Sequence, residues 1–277
     1  MSKEFCYSVL MSVYRKERAE YFDEAIQSML GQTIAPSEFV IVCDGPLTAE
    51  LDKVIGHYEE LHDSLFRIVR LPHNMGLGNA LAEGITHCKN EWIARMDSDD
   101  FCLPNRIEMQ YAALKRNPSL GLIGTNVVEF IGSVDHVVAK VILPETDEEI
   151  RRYYRRRCAF RHPSLLFKKD EVLKAGNYSS RYYLFEDMDL FGRMIAGGTI
   201  AYNVQECLTQ VRVSEDFYQR RGGIRYLKAM GSVRMMLLRI GVTRPLDFII
   251  SLSGQALVCL MPNKVRSAFY RRFLRTR

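Results

Sequence analysis

The sequence predicts an α/β protein built on a mostly parallel sheet flanked by helices, with a helical appendage at the C-terminus. Three observations carry that expectation. Apolar runs of strand length alternate with segments of helical period through the first hundred residues. The 277 residues are 47% hydrophobic, enough to bury the core of one large domain or of one domain with an appendage. Charge also divides the chain: from Glu215 to Arg277, 13 Lys/Arg oppose 3 Asp/Glu, a balance of +10, whereas residues 1–214 carry −5. Residues 1–214 are therefore expected to form the α/β unit and residues 215–277 a basic helical region.

Tyr7–Val13 (YSVLMSV) and Phe39–Cys43 (FVIVC) are nearly continuous apolar runs, the pattern of short buried strands. Between them Phe22, Ile26, Met29 and Leu30 recur at helical spacing within Tyr21–Leu30. The alternation continues with a helix over Ala49–Leu61, a strand at Phe66–Leu71, a helix over Leu77–Cys88 and a strand at Trp92–Met96. Units of this kind build parallel sheets through right-handed crossovers. A helix starting near Asn105 and a strand over Leu122–Phe130 follow, and then the pattern loses its regularity. Six arginines crowd residues 147–161 without an evident role, and His162-Pro163 opens the apolar run Ser164–Phe167. A helix over Asp187–Ala196 starts with an acidic first turn, which suits the helix dipole, and Gly197-Gly198 stops it. Two helical stretches, about 216–240 and 245–275, complete the chain.

Composition narrows the classes of function. The first fifteen residues lack a basic segment followed by an apolar one, so a cytoplasmic location is expected. Seven cysteines without CxxC spacing read as reduced thiols, not as a disulfide framework or a zinc site. The basic C-terminal region implies an anionic partner, either nucleic acid or a membrane surface. Nucleic acid is the poorer fit, because residues 1–214 are net acidic and carry no nucleic-acid-binding motif.

Open parallel sheets bind ligands beyond the carboxyl ends of their strands. Three polar groups occupy that edge here: Ser12 and Tyr14 after the first strand, Asp44-Gly45-Pro46 after the second, and Asp97-Ser98-Asp99-Asp100 after the fourth. Three carboxylates at the end of a buried strand repel and raise one another's pKa, and a cation relieves that repulsion. Oxygen ligands suit Mg²⁺ or Mn²⁺, with the shell completed by water and a substrate diphosphate. An EF-hand is excluded, since Cys102 stands where the calcium loop needs glycine and Pro104 intrudes. The other reading of the cluster is an acidic turn that caps the helix near Asn105.

Six segments, "SVLMSVYR", "SMLGQT..P.EFVIVCDG", "NMGLGNALAEGI", "ARMDSDDFCLPNRI", "RHPSLLF" and "FEDMDLFGRMIAGG", occur in the order and rough spacing seen in family 2 glycosyltransferases. The chain resembles that family over about residues 6–213, and especially its bacterial members that build capsule, O-antigen or exopolysaccharide repeat units. The resemblance implies the GT-A fold, a Rossmann-like architecture, and a nucleotide-sugar donor. By position it implies that Asp44 accepts the uracil ring N–H, and that Ser12, Tyr14, Asn74 and Gly76 lie at the nucleotide. It assigns Asp99 to the metal, Asp97 to ribose or a metal-bound water, and Asp187 to the general base with Glu186 beside it; the role of Asp100 stays open. Arg95 belongs to the motif, as a donor contact or as a neutraliser of the acidic turn. His162 matches a position on the acceptor or diphosphate side. Arg220 and Arg221 match a segment that closes over the diphosphate, and guanidinium groups pair well with phosphate. Each assignment has a plainer counterpart: an Asp-Gly turn at Asp44, a helix start at Gly76, helix capping at Glu186-Asp187, a structural His162, surface charge at Arg220-Arg221.

The expected reaction is inverting transfer from a nucleotide-sugar, UDP-linked by resemblance, to a lipid-diphosphate-linked saccharide. A nucleotidyltransferase also uses paired aspartates on a parallel sheet, but its glycine-rich basic signature is absent from the first strand. Phe248–Met261 has no charged residue, and its 14 positions fall short of the ~20 needed to span a bilayer. Aromatics at 269, 270 and 273 interleave with arginines beyond it, as in helices that lie on the inner membrane surface. A helix packed on the catalytic unit or in a homodimer is the competing expectation.

Overall fold

The structure, a computed structural model, describes residues 5–62, 64–182, 184–214 and 222–261. The first half follows the expected alternation: β1 (Tyr7–Val13), α1 (Ala19–Leu30), β2 (Glu38–Cys43), α2 (Ala49–Leu61), β3 (Phe66–Arg70), α3 (Leu77–His87) and β4 (Trp92–Asp97). Then come β5 (Phe101–Cys102), α4 (Arg106–Arg116), β6 (Leu120–Phe130), β7 (Val137–Val141), α5 (Asp147–Tyr154), β8 (Leu166–Lys168), α6 (Lys169–Lys174), α7 (Glu186–Ala196) and β9 (Ile200–Arg212). α8 (Gly223–Arg239) and α9 (Pro245–Leu260) end the described chain. The two C-terminal helices are shorter than the sequence periodicity suggests, and residues 215–221 and 262–277 lie outside the described residues.

Nine strands form one sheet in the order β3-β2-β1-β4-β8-β6-β9-β5, with β7 added to β6. β1 pairs in parallel with β2 and β4, β2 with β3, and β6 with β9. β8 runs antiparallel between β4 and β6. Its start, the short 3₁₀ turn His162–Ser164, therefore lies beside the carboxyl end of β4, where the Arg95 N–H donates to the Leu165 carbonyl at 2.8 Å.

Side chains alternate across each strand, so successive residues enter opposite layers. Leu10, Val40, Val42 and Ile93 pack with α3, α5, α7 and α8; Val9, Met11, Ile41 and Met96 pack with α1, α2 and α4. Both faces are covered, which is why the central strands read as continuous apolar runs.

α8 belongs to the first of these layers, through Met230, Val233 and Leu237, and α7 makes room for it at Gly192, where a Cβ would meet the Leu237 side chain. Here the crowded arginines find their role. Arg151 pairs with Asp147 and donates to the carbonyls of Ile195 and Thr199 at 2.7 and 2.9 Å. Arg156 pairs with Asp247 of α9 at 2.6 Å and accepts from Arg234 of α8 on its carbonyl, while the Thr243 hydroxyl donates to the Arg155 carbonyl. The segment is a socket for the C-terminal hairpin.

Candidate active site

Asp44 follows the last residue of β2, and its N–H donates to the Val13 carbonyl at 2.8 Å, which sets it beside the end of β1. Gly45 has φ +87°, and a Cβ there would lie 2.7 Å from the Asn74 nitrogen. That close approach brings the loop before α3 onto Asp44. The two carboxylate oxygens accept the N–H groups of Met75 and Gly76 at 2.6 and 3.0 Å, and Asn74 Nδ2 donates to the Asp44 carbonyl at 3.2 Å. A carboxylate has about four acceptor sites, so capacity for another donor remains. Gly76 then starts α3 at φ +84°, and Gly78 lets α3 approach Ser179, whose carbonyl would be 2.6 Å from an added Cβ. Gly45→Ala is expected to cost about 1–3 kcal/mol from the strained backbone conformation and to weaken nucleotide binding; urea unfolding and UDP calorimetry check both.

At the end of β4, carboxylate oxygens of Asp97, Asp99 and Asp100 all lie within 4.8 Å of one another. Asp99 is pushed up to about 7, first by burial and then by the charges of Asp97 and Glu17. Asp100 is buried and raised well above the usual range by burial and by Asp99 and Asp97. Such a cluster accommodates a divalent cation: it offers hard oxygen ligands, close spacing and an unrelieved repulsion. Asp99 and Asp97, both partly exposed, would hold the ion, while Asp100 faces inward and accepts the Arg212 N–H at 2.8 Å.

Without an ion, the folded protein binds more protons than the unfolded chain between pH ~4 and the raised value near 7. The stability associated with these protons is complete at low pH and is lost as pH rises through 7. A bound cation offsets that loss. Mn²⁺ is therefore expected to raise the melting temperature more at pH 8 than at pH 6, and an equal rise at both would contradict this account.

Arg95 lies behind the cluster, 1% exposed, with one guanidinium nitrogen on Asp97. Burial works against its charge, but Asp97 prevails and holds its pKa up. Its Nε and Nη1 have no hydrogen-bond partner among the described residues. The charge reaches His162, whose pKa burial and Arg95 together hold well below the usual range, so the imidazole is neutral. His162 Nε2 lies 2.8 Å from the Tyr178 hydroxyl, and its ring packs edge-on against Phe191. Burial pushes the Tyr178 hydroxyl up, and the charges of Arg95, Asp187, Glu186 and Asp97 all act on it, so those four groups lie within electrostatic reach of one buried ring.

Glu186 and Asp187 begin α7. Glu186 is pushed up to about 7 by burial and by Asp187. The Met188 N–H donates to the Asp187 carboxylate at 2.6 Å, and the buried Tyr154 hydroxyl donates to the Met188 carbonyl at 2.8 Å, so the first turn of α7 is fixed from below. Two residues on, Asp189 turns away to pair with Arg193 at 2.9 Å and accept from Ser179 at 3.1 Å, a structural role.

Arg95, Asp97, Asp99 and His162 thus gather at the carboxyl end of β4, with Asp44, Asn74 and Gly76 beside the end of β1, while Glu186 and Asp187 at the start of α7 are near enough to act electrostatically on Tyr178. Ser12 is partly exposed at that strand end and Tyr14 is 43% exposed just after it. Arg220 and Arg221 lie outside the described residues. Three contributors carry no sequence signal. Glu17 accepts from Ser98 at 2.8 Å, Tyr178 meets His162, and Arg212 closes the acidic turn. Arg212 Nε donates to the Asp99 carbonyl at 3.0 Å, its fork pairs with Glu24 at 2.8 Å, and its plane stacks 3.6 Å over Tyr21.

The model of glycosyl transferase family 2 matches residues 8–174. The chain belongs to that family. Among its relatives, a UDP-Gal:alpha-D-GlcNAc-diphosphoundecaprenol beta-1,3-galactosyltransferase of Escherichia coli is 32% identical over 270 residues, 97% of this chain and 96% of that protein. The amylovoran biosynthesis glycosyltransferase AmsE of Erwinia amylovora is 33% identical, over 95% of this chain and 97% of that protein. The mannosyltransferase PcManGT of Pyrobaculum calidifontis, solved with GDP-Man and Mn²⁺, superposes with a TM-score of 0.64 at 16% identity, covering 95% of this chain and 72% of that one. That likeness bears on the fold, which is GT-A. This family 2 glycosyltransferase carries Asp187 and Arg212 beyond the matched residues, so the matched region alone holds only part of the candidate site.

Proposed function

We propose that this glycosyltransferase moves a sugar from a UDP-sugar to a lipid-diphosphate-linked saccharide, with inversion at the anomeric carbon, during capsule, O-antigen or exopolysaccharide synthesis at the cytoplasmic face of a bacterial inner membrane. One observation carries the reading: three carboxylates cluster within 4.8 Å at the end of β4, and the charges of Asp97 and of Glu186 and Asp187 in the first turn of α7 act on the same buried Tyr178. The names of the E. coli and Erwinia relatives support the substrate class.

In this reading Asp44 accepts the uracil N–H in a charge-assisted bond while Met75 and Gly76 hold its carboxylate in place. Mg²⁺ or Mn²⁺ at Asp99 and Asp97 supplies charge stabilisation for the leaving diphosphate. Arg95 holds Asp97 in orientation and offsets part of the negative charge. Asp187 takes the proton of the acceptor hydroxyl as its oxygen bonds to the anomeric carbon and the bond to UDP breaks. Glu186, half-buried and pushed up to about 7, carries only part of a negative charge at pH 7 and repels the incoming diphosphates less than an ordinary carboxylate would. Neutral His162 with Tyr178 forms the floor on the acceptor side.

The test is a screen of nucleotide-sugars with Mn²⁺ against a sugar-diphosphate-lipid acceptor. UDP release that depends on acceptor is the expected result; transfer from no UDP-sugar, with activity on another nucleotide class, would overturn the donor assignment.

A further inference from the structure

α9 presents an apolar face that no described part of the protein covers. The helix has no Lys or Arg, and its one acid, Asp247, turns inward to Arg156. At helical spacing Leu246, Ile249, Ile250, Leu257 and Leu260 are 66, 58, 43, 63 and 68% exposed, with exposed Ser253 and Gly254 completing the stripe. Val258 and Cys259 are buried on the opposite side. A contiguous exposed apolar stripe of this kind marks a contact surface. Sixteen residues make about 24 Å of helix, against ~30 Å of bilayer hydrocarbon, and no helix among the described residues is long and apolar enough to cross a membrane.

The stripe also has a direction. Gly231 of α8 faces Leu252 of α9, where an added Cβ would be 3.7 Å from Leu252 Cδ1, so the helices form an antiparallel hairpin. The end of α9 with Leu257 and Leu260 therefore lies beside the start of α8. There the Tyr226 ring is 5.2 Å from that of Phe185, the residue before Glu186-Asp187. The apolar face runs toward the side where the acceptor hydroxyl loses its proton.

We propose that this face seats the enzyme on an anionic bilayer, with the α9 aliphatics entering the headgroup boundary and basic residues of the hairpin such as Arg225, Lys228, Arg239 and Arg244 meeting lipid phosphates. The proposal rests on the lipid-linked acceptor argued above and names the surface by which that acceptor is reached. Charge selects the occupant. The described residues 222–261 contain five Lys/Arg and one Asp, so a second copy would set like charge against like, whereas an anionic surface is complementary. Apolar insertion joined to basic contacts is the pattern of helices that lie in a membrane interface.

The test is vesicle flotation of the full chain, using phosphatidylglycerol with phosphatidylethanolamine against phosphatidylcholine alone. Wild type is expected to float with the anionic vesicles only. The pair Ile249→Glu and Leu257→Glu should lower the floated fraction at least about tenfold, because two aliphatic side chains are withdrawn from the bilayer. The milder pair Ile249→Ala and Leu257→Ala should lie between. All three proteins should transfer at equal rates to a short-chain, water-soluble acceptor. Equal flotation of wild type and the Glu pair would overturn the proposal. So would a wild-type dimer in sedimentation that the Glu pair dissociates while neither binds vesicles. Flotation of a wild type that transfers to no acceptor would uphold the docking and overturn the acceptor reading.

Discussion

Asp187→Asn is expected to lower sugar transfer by roughly 10²–10⁴-fold, the usual contribution of a positioned general base. The amide keeps the shape of the side chain and can still accept the Met188 N–H, so the first turn of α7 should hold. What it lacks is affinity for the acceptor's proton. UDP binding should be nearly unchanged, because the nucleotide is assigned to Asp44 on another strand end. Initial rates of UDP release with acceptor, set against UDP calorimetry, separate the two effects. Unchanged turnover would remove Asp187 from its role and leave Glu186 as the remaining carboxylate of that turn.

Asp99→Ala should act differently. It removes a ligand from the acidic turn, and charge stabilisation of a departing diphosphate is worth several kcal/mol, so a loss of about three orders of magnitude is expected. Excess chelator should abolish wild-type activity to a similar extent. The same substitution should raise the melting temperature of the metal-free protein at pH 8, since it relieves the repulsion that burial, Asp97 and Glu17 impose on Asp99. A variant that becomes more stable while losing activity is the signature of a carboxylate kept for function. Full activity of wild type in chelator would refute the metal assignment.

The first half of the fold was legible because its strands are buried on both faces and its helices are amphipathic; β1 and α2 have the expected bounds. β8 was not, since three residues carry no periodicity, yet its antiparallel insertion is what brings His162 beside Arg95. The acids could be read as a group because one short turn holds them. The contribution of Arg212 could not, since it depends on a long strand pairing in register with β6 and returning to β5. The arginines of residues 151–161 had no evident role in the sequence, and it took the assembled fold to show that Arg151 donates to the carbonyls of Ile195 and Thr199, and that Arg156 pairs with Asp247 of α9 and takes a hydrogen bond from Arg234 of α8 on its carbonyl. Local pattern announces elements and turns; contacts between distant segments need the assembled sheet.

Arg212 fastens a turn made 112 residues earlier in the chain. On the ribosome, the acidic turn of β4 emerges long before the strand that restrains it, and α8, which packs on α7, emerges later still. A polypeptide released before that point keeps its acidic turn but lacks the Arg212 contacts that hold the turn against the sheet.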